Sequence, residues 1–299
     1  MKYLLYIPSP VKKMELQIDE NEYSELEKAK EFLHFIVTHE ESYDILISNY
    51  VEFEQEILQL TLENMMFRDS GTDIFYELRM RLNKRLINLL TSVKLYQDLG
   101  KHLIPKFITE RKKYQREIEI LFSKEYDNKK HYKFMEELRK YTQHAGLAIH
   151  ITHFNMKTTN AHTNSRLEYS VNFSLNYERL QRDKMFNVTK FPEMEGEIDL
   201  KIAVRHYIES ISLVHSSIRE IFKDQSNNSR ELIKKAHTNF KDQFKCDTYY
   251  LRAAKIEGSK RMKDIAILLD WDDVRIRLQQ KNRKLTRLSD GYISSISKE

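Results

Sequence analysis

Helix-breaking residues are scarce in this chain, and that scarcity restricts the fold more than any other feature of the sequence. Its 299 residues include only 6 Gly and 4 Pro. An architecture rich in β-strands needs frequent turns, and Gly and Pro supply many of them. The sequence therefore predicts a mainly α fold, a helical bundle of long antiparallel helices.

Apolar residues at three- and four-residue spacing locate the helices of this bundle. The periodicity predicts helices over about 21–66, 72–99, 105–122, 132–144, 198–222 and 230–244. Gly100 is expected to end the second helix and Pro105 to begin the third. The polar run over 225–229 is expected to separate the last two.

The pattern changes to a two-residue period after the fourth helix. Segments 147–154 and 167–175 are rich in β-branched and aromatic residues, which predicts a small two-stranded β insertion near 147–175. We divide the chain into a helical domain over 1–244 and a basic C-terminal segment over 245–299. That segment is expected to pack on the bundle and to end in a mobile tail.

Positive charge is concentrated in two stretches of the chain. Residues 101–140 contain twelve Lys or Arg and seven Asp or Glu, and residues 259–288 contain nine and four. Basic surfaces attract polyanions and bind phosphates by releasing counterions. RNA is therefore an expected partner, with Lys112, Lys113 and Arg116 as substrate-binding residues. In the alternative, the basic helices and the acidic helix over 19–66 offset each other on a solvated surface.

Several classes of protein are not expected. The single Cys246 excludes an internal disulfide and a cysteine-rich zinc site, and it fits a reducing cytoplasm. No apolar run approaches the roughly 20 residues that a membrane span needs, and the apolar run within 1–8 is too short for a secretion leader. His150 and His153 lie three apart on a predicted strand and point to opposite faces, so we expect no metal site there. No cofactor is expected either.

The end of the fourth helix carries groups suited to RNA cleavage. The segment reads Arg139-Lys140-Tyr141-Thr142-Gln143-His144, followed by Ala145-Gly146. Attack by the ribose 2′-hydroxyl needs a base, an acid and cations that stabilise the phosphorane charge. His144 can transfer protons near neutrality, and Arg139 can bind a phosphate with two hydrogen bonds. Lys140, Tyr141 and Gln143 are the neighbouring substrate-binding candidates.

The helical spacing of these two residues raises an objection. Five residues on an α-helix place Arg139 and His144 about 140° apart. A helix that ends near His144, as Gly146 suggests, would relieve the conflict. One His per chain also cannot serve as both base and acid, so a homodimer that joins two motifs is predicted.

The Arg-x4-His spacing, with Tyr141, Gln143, His144 and Gly146 in place, resembles the R-x4-6-H motif of HEPN-type ribonucleases and of RNYxQH-type bacterial proteins. Lys140 departs from that pattern, in which Asn commonly follows the Arg. The resemblance implies a HEPN-like domain and a homodimer whose two motifs face each other. It also implies a metal-independent endoribonuclease of a bacterial defence or toxin system.

Two other functions stay open. The chain could be a catalytically silent HEPN-like protein that binds RNA, or a partner protein from the same operon, as a sensor or scaffold. Arg139 would then pair with Glu136 or Glu137, and His144 would hydrogen-bond at the helix C-terminus. Lys140 favours this alternative. In the third, acidic N-terminal helices mimic nucleic acid and bind a basic partner.

Overall fold

The chain is mostly helical in the computed structural model, which describes residues 1–9, 14–67, 71–102, 104–108, 110–159, 166–258 and 260–294. The helices are α1 (Glu20–Phe67), α2 (Thr72–His102), α3 (Arg111–Asn128), α4 (Lys130–His144), α5 (Tyr177–Gln181), α6 (Leu200–Phe244) and α7 (Asp270–Lys281). The strands are β1 (Lys2–Ile7), β2 (Met14–Ile18), β3 (Ile151–Thr159), β4 (Arg166–Asn176), β5 (Glu197–Asp199), β6 (Arg252–Glu257) and β7 (Lys260–Ala266). The prediction of a mainly α chain is confirmed.

Helix α1 begins where the sequence predicts it, because Asp19 caps it. The Asp19 carboxylate accepts a hydrogen bond of 2.8 Å from the backbone N–H of Glu22, and its carbonyl accepts one of 3.1 Å from that of Tyr23. A side-chain acceptor at this position satisfies a backbone donor that the helix itself leaves unpaired.

Helix α2 continues through Gly100, so the expectation that Gly100 ends it is wrong. A Cβ atom at Gly100 would lie 3.3 Å from Cε1 of His39. The glycine therefore gives room for the His39 ring beside the helix. Its role is close packing rather than termination.

Helix α6 is continuous over 225–229, and the predicted interruption there is wrong. Ser226 is buried, and its hydroxyl donates a 2.8 Å hydrogen bond to the carbonyl of Phe222, one turn earlier. Ser229 is buried as well. The helix backbone thus accepts the hydrogen bond of the Ser226 hydroxyl. A run of polar residues can therefore continue a helix even where its side chains are buried.

Helix α3 begins at Arg111, so the prediction that it begins at Pro105 is also wrong. The carbonyl of Pro105 accepts a 3.3 Å hydrogen bond from the N–H of Ile108, which places the proline in a turn before the helix. Lys129 alone separates α3 from α4.

The sheet that follows α4 has three strands in the order β3-β4-β5, so the prediction of two strands is wrong. β3 pairs antiparallel with β4, with Ile151 opposite Ser174. β4 also pairs with β5, a strand of only three residues. A strand this short shows no alternation in the sequence. Residues 160–165, between the two predicted strands, lie outside the described residues.

A second sheet, which the sequence analysis did not predict, has four antiparallel strands in the order β2-β1-β6-β7. Leu5 of β1 lies opposite Leu16 of β2 and opposite Ala253 of β6. This pairing joins the first residues of the chain to residues near position 255. The predicted mobile tail falls partly on residues 295–299, outside the described residues.

The chain forms two compact units, each built from separated segments. The first unit comprises residues 1–44, 99–118 and 217–283, and the second comprises 45–98, 119–216 and 284–299. The core of the first unit includes Leu26, Leu33, Ile233, Phe240 and Leu251. The segment Arg139–His144 belongs to the second unit. Among the described residues, no helix is both long and apolar enough to span a bilayer.

Candidate functional site

Helix α4 divides the residues of the motif between its buried and exposed faces. Arg139 and Tyr141 are buried, whereas Lys140, Gln143 and His144 are exposed. This division decides which of the predicted functional side chains can reach a substrate.

Arg139 is 7% exposed and forms an ion pair with Glu136, one turn earlier on α4. Its Nη2 donates a 3.0 Å hydrogen bond to Oε2 of Glu136, and its Nη1 donates one of 3.3 Å to the side-chain carbonyl of Gln143. Burial opposes the charge of the guanidinium, but the Glu136 carboxylate more than offsets it and raises the pKa of Arg139. The guanidinium is thus held inside the fold.

Glu136 is the centre of this buried network. Its Oε1 accepts hydrogen bonds of 2.6 Å from the hydroxyl of Tyr207 and 2.6 Å from Nε2 of Gln97. Gln97 also donates to the hydroxyl of Tyr132 at 3.1 Å. Burial, followed by the charge of Glu136, raises the pKa of Tyr207 well above its ordinary value, so the phenol donates to the carboxylate. Three donors, from Tyr207, Gln97 and Arg139, surround one buried carboxylate and form a structural arrangement.

Lys140 forms an ion pair with the other acidic residue of α4. Its Nζ lies 2.9 Å from Oε1 of Glu137, and Nζ of Lys190 lies 2.8 Å from the same oxygen. Tyr126 donates a third hydrogen bond to it, at 3.0 Å. Burial alone would raise the pKa of Glu137, but these donors outweigh it and lower that pKa. The carboxylate therefore offsets part of the positive charge that Lys140 would offer to a phosphate.

Tyr141 has a packing role beneath the end of α4. Its ring lies 6.4 Å from that of Phe186, nearly perpendicular to it. A Cβ atom at Gly146 would lie 2.8 Å from the Tyr141 hydroxyl oxygen, so only glycine fits there without a shift. Gly146, which suggested the end of the helix, follows the C-cap residue Ala145, and the N–H groups of Ala145 and Gly146 bond the carbonyl of Tyr141 at 2.8 and 3.3 Å. The burial of Tyr141 weighs against its predicted contact with substrate.

His144 is the last residue of α4 and is exposed. α4 ends at His144, as Gly146 suggested, but His144 is itself helical, so the separation of about 140° between Arg139 and His144 remains. Arg139 lies on the buried face and His144 on the exposed one. The structure therefore presents the predicted proton-transfer group to solvent without the predicted guanidinium beside it.

The three basic residues predicted to bind RNA lie on the first two turns of α3, in the first unit. Lys112, Lys113 and Arg116 are all exposed. Lys113 pairs with Glu110 at 3.1 Å, with both side chains more than half exposed. Within the part of the chain that the structure describes, Lys112 and Arg116 form no ion pair. These two cations are available to an external anion.

The histidines that follow the motif make separate contacts. The backbone N–H of Asn176 donates to Nδ1 of His150 at 3.3 Å, and Nε2 of His153 lies 3.7 Å from the Glu197 carboxylate. Burial, followed by the charge of Arg179, lowers the pKa of His150. His162 lies outside the described residues. Among those that are described, no three His, Cys, Asp or Glu side chains are grouped as metal ligands.

Sequence reasoning missed two residues that fix the motif, Tyr207 and Lys190. Each lies far along the chain from its partner on α4. Tyr207 is 71 residues from Glu136, and Lys190 is 53 residues from Glu137. No local spacing rule reaches that far. The sequence does predict Glu136 or Glu137 as a partner of Arg139, because both lie about one turn earlier on the helix.

Comparisons of the chain with protein-family models, with curated proteins and with solved structures found no match. The resemblance to HEPN-type proteins therefore rests on the residues of the motif alone.

Proposed function

We propose that this chain is a helical RNA-binding protein in which the Arg139–His144 segment does not cleave RNA. The exposed cations of α3 carry the proposal. Lys112 and Arg116 form no ion pair among the described residues, and Lys113 has a solvent-exposed one. An exposed ion pair contributes little to stability, so Lys113 can give up its pair to bind an RNA phosphate. All three side chains are therefore available to RNA.

The buried network on α4 supports the absence of cleavage. A guanidinium that stabilises a phosphorane has to reach the phosphate, and Arg139 is 7% exposed and bonded to Glu136. Moving it to a substrate would leave Glu136 buried without its charged partner. Breaking a buried pair in this way costs about 3–5 kcal/mol.

The test of RNA binding is fluorescence anisotropy with a labelled single-stranded oligoribonucleotide at several salt concentrations. We expect affinity to fall steeply between about 50 and 200 mM salt. Reversing Lys112, Lys113 and Arg116 to Glu should weaken binding and lower the slope of log affinity against log salt by about 2, since each phosphate contact on a single strand contributes about 0.7.

The matched control reverses Lys234, Lys235 and Lys241 to Glu. These are three exposed lysines of α6 in the same unit. The net charge of the two triple variants is the same, so a loss specific to the α3 variant indicates contact rather than general attraction. Equal losses in both variants would remove α3 as the platform, and no binding by the parent at low salt would overturn the proposal.

A second candidate is the metal-independent endoribonuclease of a bacterial defence or toxin system, and the exposure of His144 favours it. Its side chain makes no hydrogen bond to any described residue. It is therefore available to transfer a proton to or from a bound substrate. This candidate requires the homodimer, since a second His144 has to provide the other proton transfer.

Cleavage assays in EDTA separate the two candidates. If the motif is active, His144→Ala should lower the rate by about 10²–10⁴, and the product should carry a 2′,3′-cyclic phosphate. His34→Ala is the matched control, since His34 is an exposed helical histidine of the other unit. Light scattering should then report a dimer. Intact RNA after incubation with the parent protein is the outcome that RNA binding without cleavage predicts.

A further inference from the structure

Two histidines stack face to face in a cleft of the second unit. His131 lies in the first turn of α4 and His206 on α6, and their rings are 4.6 Å apart with 7° between the planes. The cleft has a volume of about 450 Å³. We call it the His131 cleft. It is lined by Lys129, Lys130, His131, His206, Glu125, Glu209, Lys284 and Arg287, among others.

Cations outnumber carboxylates around this cleft. Four lysine and arginine side chains line it, against two glutamates. Lys130 has a partner, Glu193, at 3.3 Å, with both side chains about half exposed. Lys129, Lys284 and Arg287 form no ion pair among the described residues. The cleft therefore carries a net positive charge, which Glu125 and Glu209 offset only in part.

The segment that supplies Lys284 and Arg287 is held in place on α6. The N–H of Leu285 donates a 2.8 Å hydrogen bond to the hydroxyl of Ser212, and the N–H of Leu288 donates one to the Glu209 carboxylate. Arg287, between these anchors, has a φ of 57°. That conformation costs about 1–2 kcal/mol for a residue with a Cβ atom, so the anchors fix a backbone that would not form alone.

Two residues that line the cleft also carry buried polar atoms without a partner in the described part of the chain. Glu125 lines the cleft, is 6% exposed, and its Oε2 is buried with no hydrogen-bond partner among the described residues. Nδ1 of His131 is buried without a partner in the same way. Buried polar atoms are normally satisfied. A ligand suited to this cleft would thus combine an anionic group with hydroxyl or amino donors.

We infer that the His131 cleft binds a ribonucleotide phosphate of RNA, with the phosphate among the cations and the sugar or base donors available to Glu125. This inference rests on the proposed RNA binding and assigns to it a second site, in the other unit from Lys112 and Arg116. A ribonucleotide carries both the charge and the donors that the cleft lacks.

Protonation should strengthen this binding. Burial, then the neighbouring His206 ring and Lys130, lower the pKa of His131, so the imidazole is largely neutral in the free protein at neutral pH. A phosphate favours the imidazolium and would raise that pKa. RNA affinity should therefore increase as the pH falls from about 8 to 6. The charged groups around the pair are Glu125 of α3, Lys129 between α3 and α4, Lys130 of α4, Glu209 of α6, and Lys284 and Arg287.

The test uses the full chain and a labelled oligoribonucleotide at pH 6 and pH 8. Lys129→Gln, Lys284→Gln and Arg287→Gln together should lower affinity by on the order of tenfold or more, since up to three phosphate contacts are lost. His131→Gln should reduce the gain in affinity at pH 6, whereas His34→Gln should leave it unchanged. Circular dichroism verifies that each variant is folded. If His131→Gln does not fold, the triple variant still tests the cleft, because its three substitutions are at exposed positions.

Titration of the parent protein with uridine monophosphate, followed by the NMR resonances of His131, tests the cleft separately from RNA. If the apparent pKa of His131, read from these resonances, rises when uridine monophosphate is added, the site is supported. A protein that shows this rise but binds no RNA would overturn only the proposed function. Parent-like affinity of the triple variant, in a protein that does bind RNA, overturns the cleft and leaves the function standing. Unshifted resonances together with no RNA binding overturn both.

Discussion

The two ends of α4 use similar cations in opposite ways. At its C-terminal end, Arg139 and Lys140 each pair with a carboxylate one turn earlier, at 3.0 and 2.9 Å. At its N-terminal end, Lys129 has no such partner among the described residues and borders the His131 cleft. The C-terminal end resembles a catalytic motif in sequence, but the N-terminal end is better suited to binding an external phosphate. A basic residue is informative about ligands only when its internal partners are known.

The largest expected effect concerns Glu136, which joins the C-terminal end of α4 to the core. Glu136→Ala should destabilise the fold by about 3–5 kcal/mol, because it leaves the Arg139 charge buried without a partner. Tyr207 and Gln97 lose an acceptor at the same time. Urea unfolding at neutral pH measures the change. Glu193→Ala, which breaks the exposed pair with Lys130, is the control and should leave the stability close to that of the parent.

A double variant sharpens this comparison. Glu136→Leu with Arg139→Met removes both charges and keeps most of the buried volume. It should be more stable than Glu136→Leu alone, since no unpaired charge remains. If Glu136→Ala cost no more than Glu193→Ala, the network would not hold Arg139, and the argument against a catalytic Arg139 would lose its basis.

The helices that the sequence predicted well are those with strong local signals. Asp19 caps α1 and an apolar stripe follows it, so its start is visible in the sequence. Gly100 and the run over 225–229 gave misleading signals, because burial of the surrounding helix overrides weak local preferences. The pairing of β1 with β6 was not visible at all. Tyr6 and Asp264, which bond at 2.7 Å, are 258 residues apart.

The candidate site shows the same limit. Residue spacing correctly suggested that Arg139 could pair with Glu136 or Glu137, and the structure shows the pair with Glu136. The pair between Lys140 and Glu137 has the same one-turn spacing but was not predicted. Residue spacing could not indicate that Tyr207 would fix Glu136. Nor does any pattern join His131 to His206, since the two histidines come from different helices and their neighbourhood depends on how the second unit packs.

A change of pH should separate the two ends of α4. At the N-terminal end the pKa of His131 is lowered, so the unfolded chain takes up a proton near pH 6.5 before the folded one does. Stability is therefore highest above that pH and falls below it. At the C-terminal end the pKa of Glu137 is lowered from 4.5. Its contribution is present above pH 4.5 and is lost only as the pH falls through the folded pKa.

Thermal unfolding of the parent and of His131→Gln, at pH values from about 8 to 5, measures this difference. The variant should lose less stability than the parent between pH 7 and 5.5, because it lacks one of the titrating groups. His150 and His237, whose pKa values are also lowered by burial, keep part of the acid sensitivity. Identical pH profiles for the two proteins would contradict the lowered pKa of the half-buried His131 imidazole.

The smallest expected effect is that of Lys140→Asn, which introduces the residue common after the Arg in HEPN-type motifs. The Lys140 side chain is 53% exposed, and Glu137 keeps its contacts with Lys190 and Tyr126 when Lys140 is removed. The change in unfolding free energy should therefore stay below about 1 kcal/mol. Lys190→Ala is the matched comparison and should cost more, because Lys190 is less exposed and contacts both Glu137 and Tyr126. If Lys140→Asn instead gave RNA cleavage that the parent lacks, Lys140 would be the residue that silences the motif, and the ribonuclease candidate would replace RNA binding without cleavage.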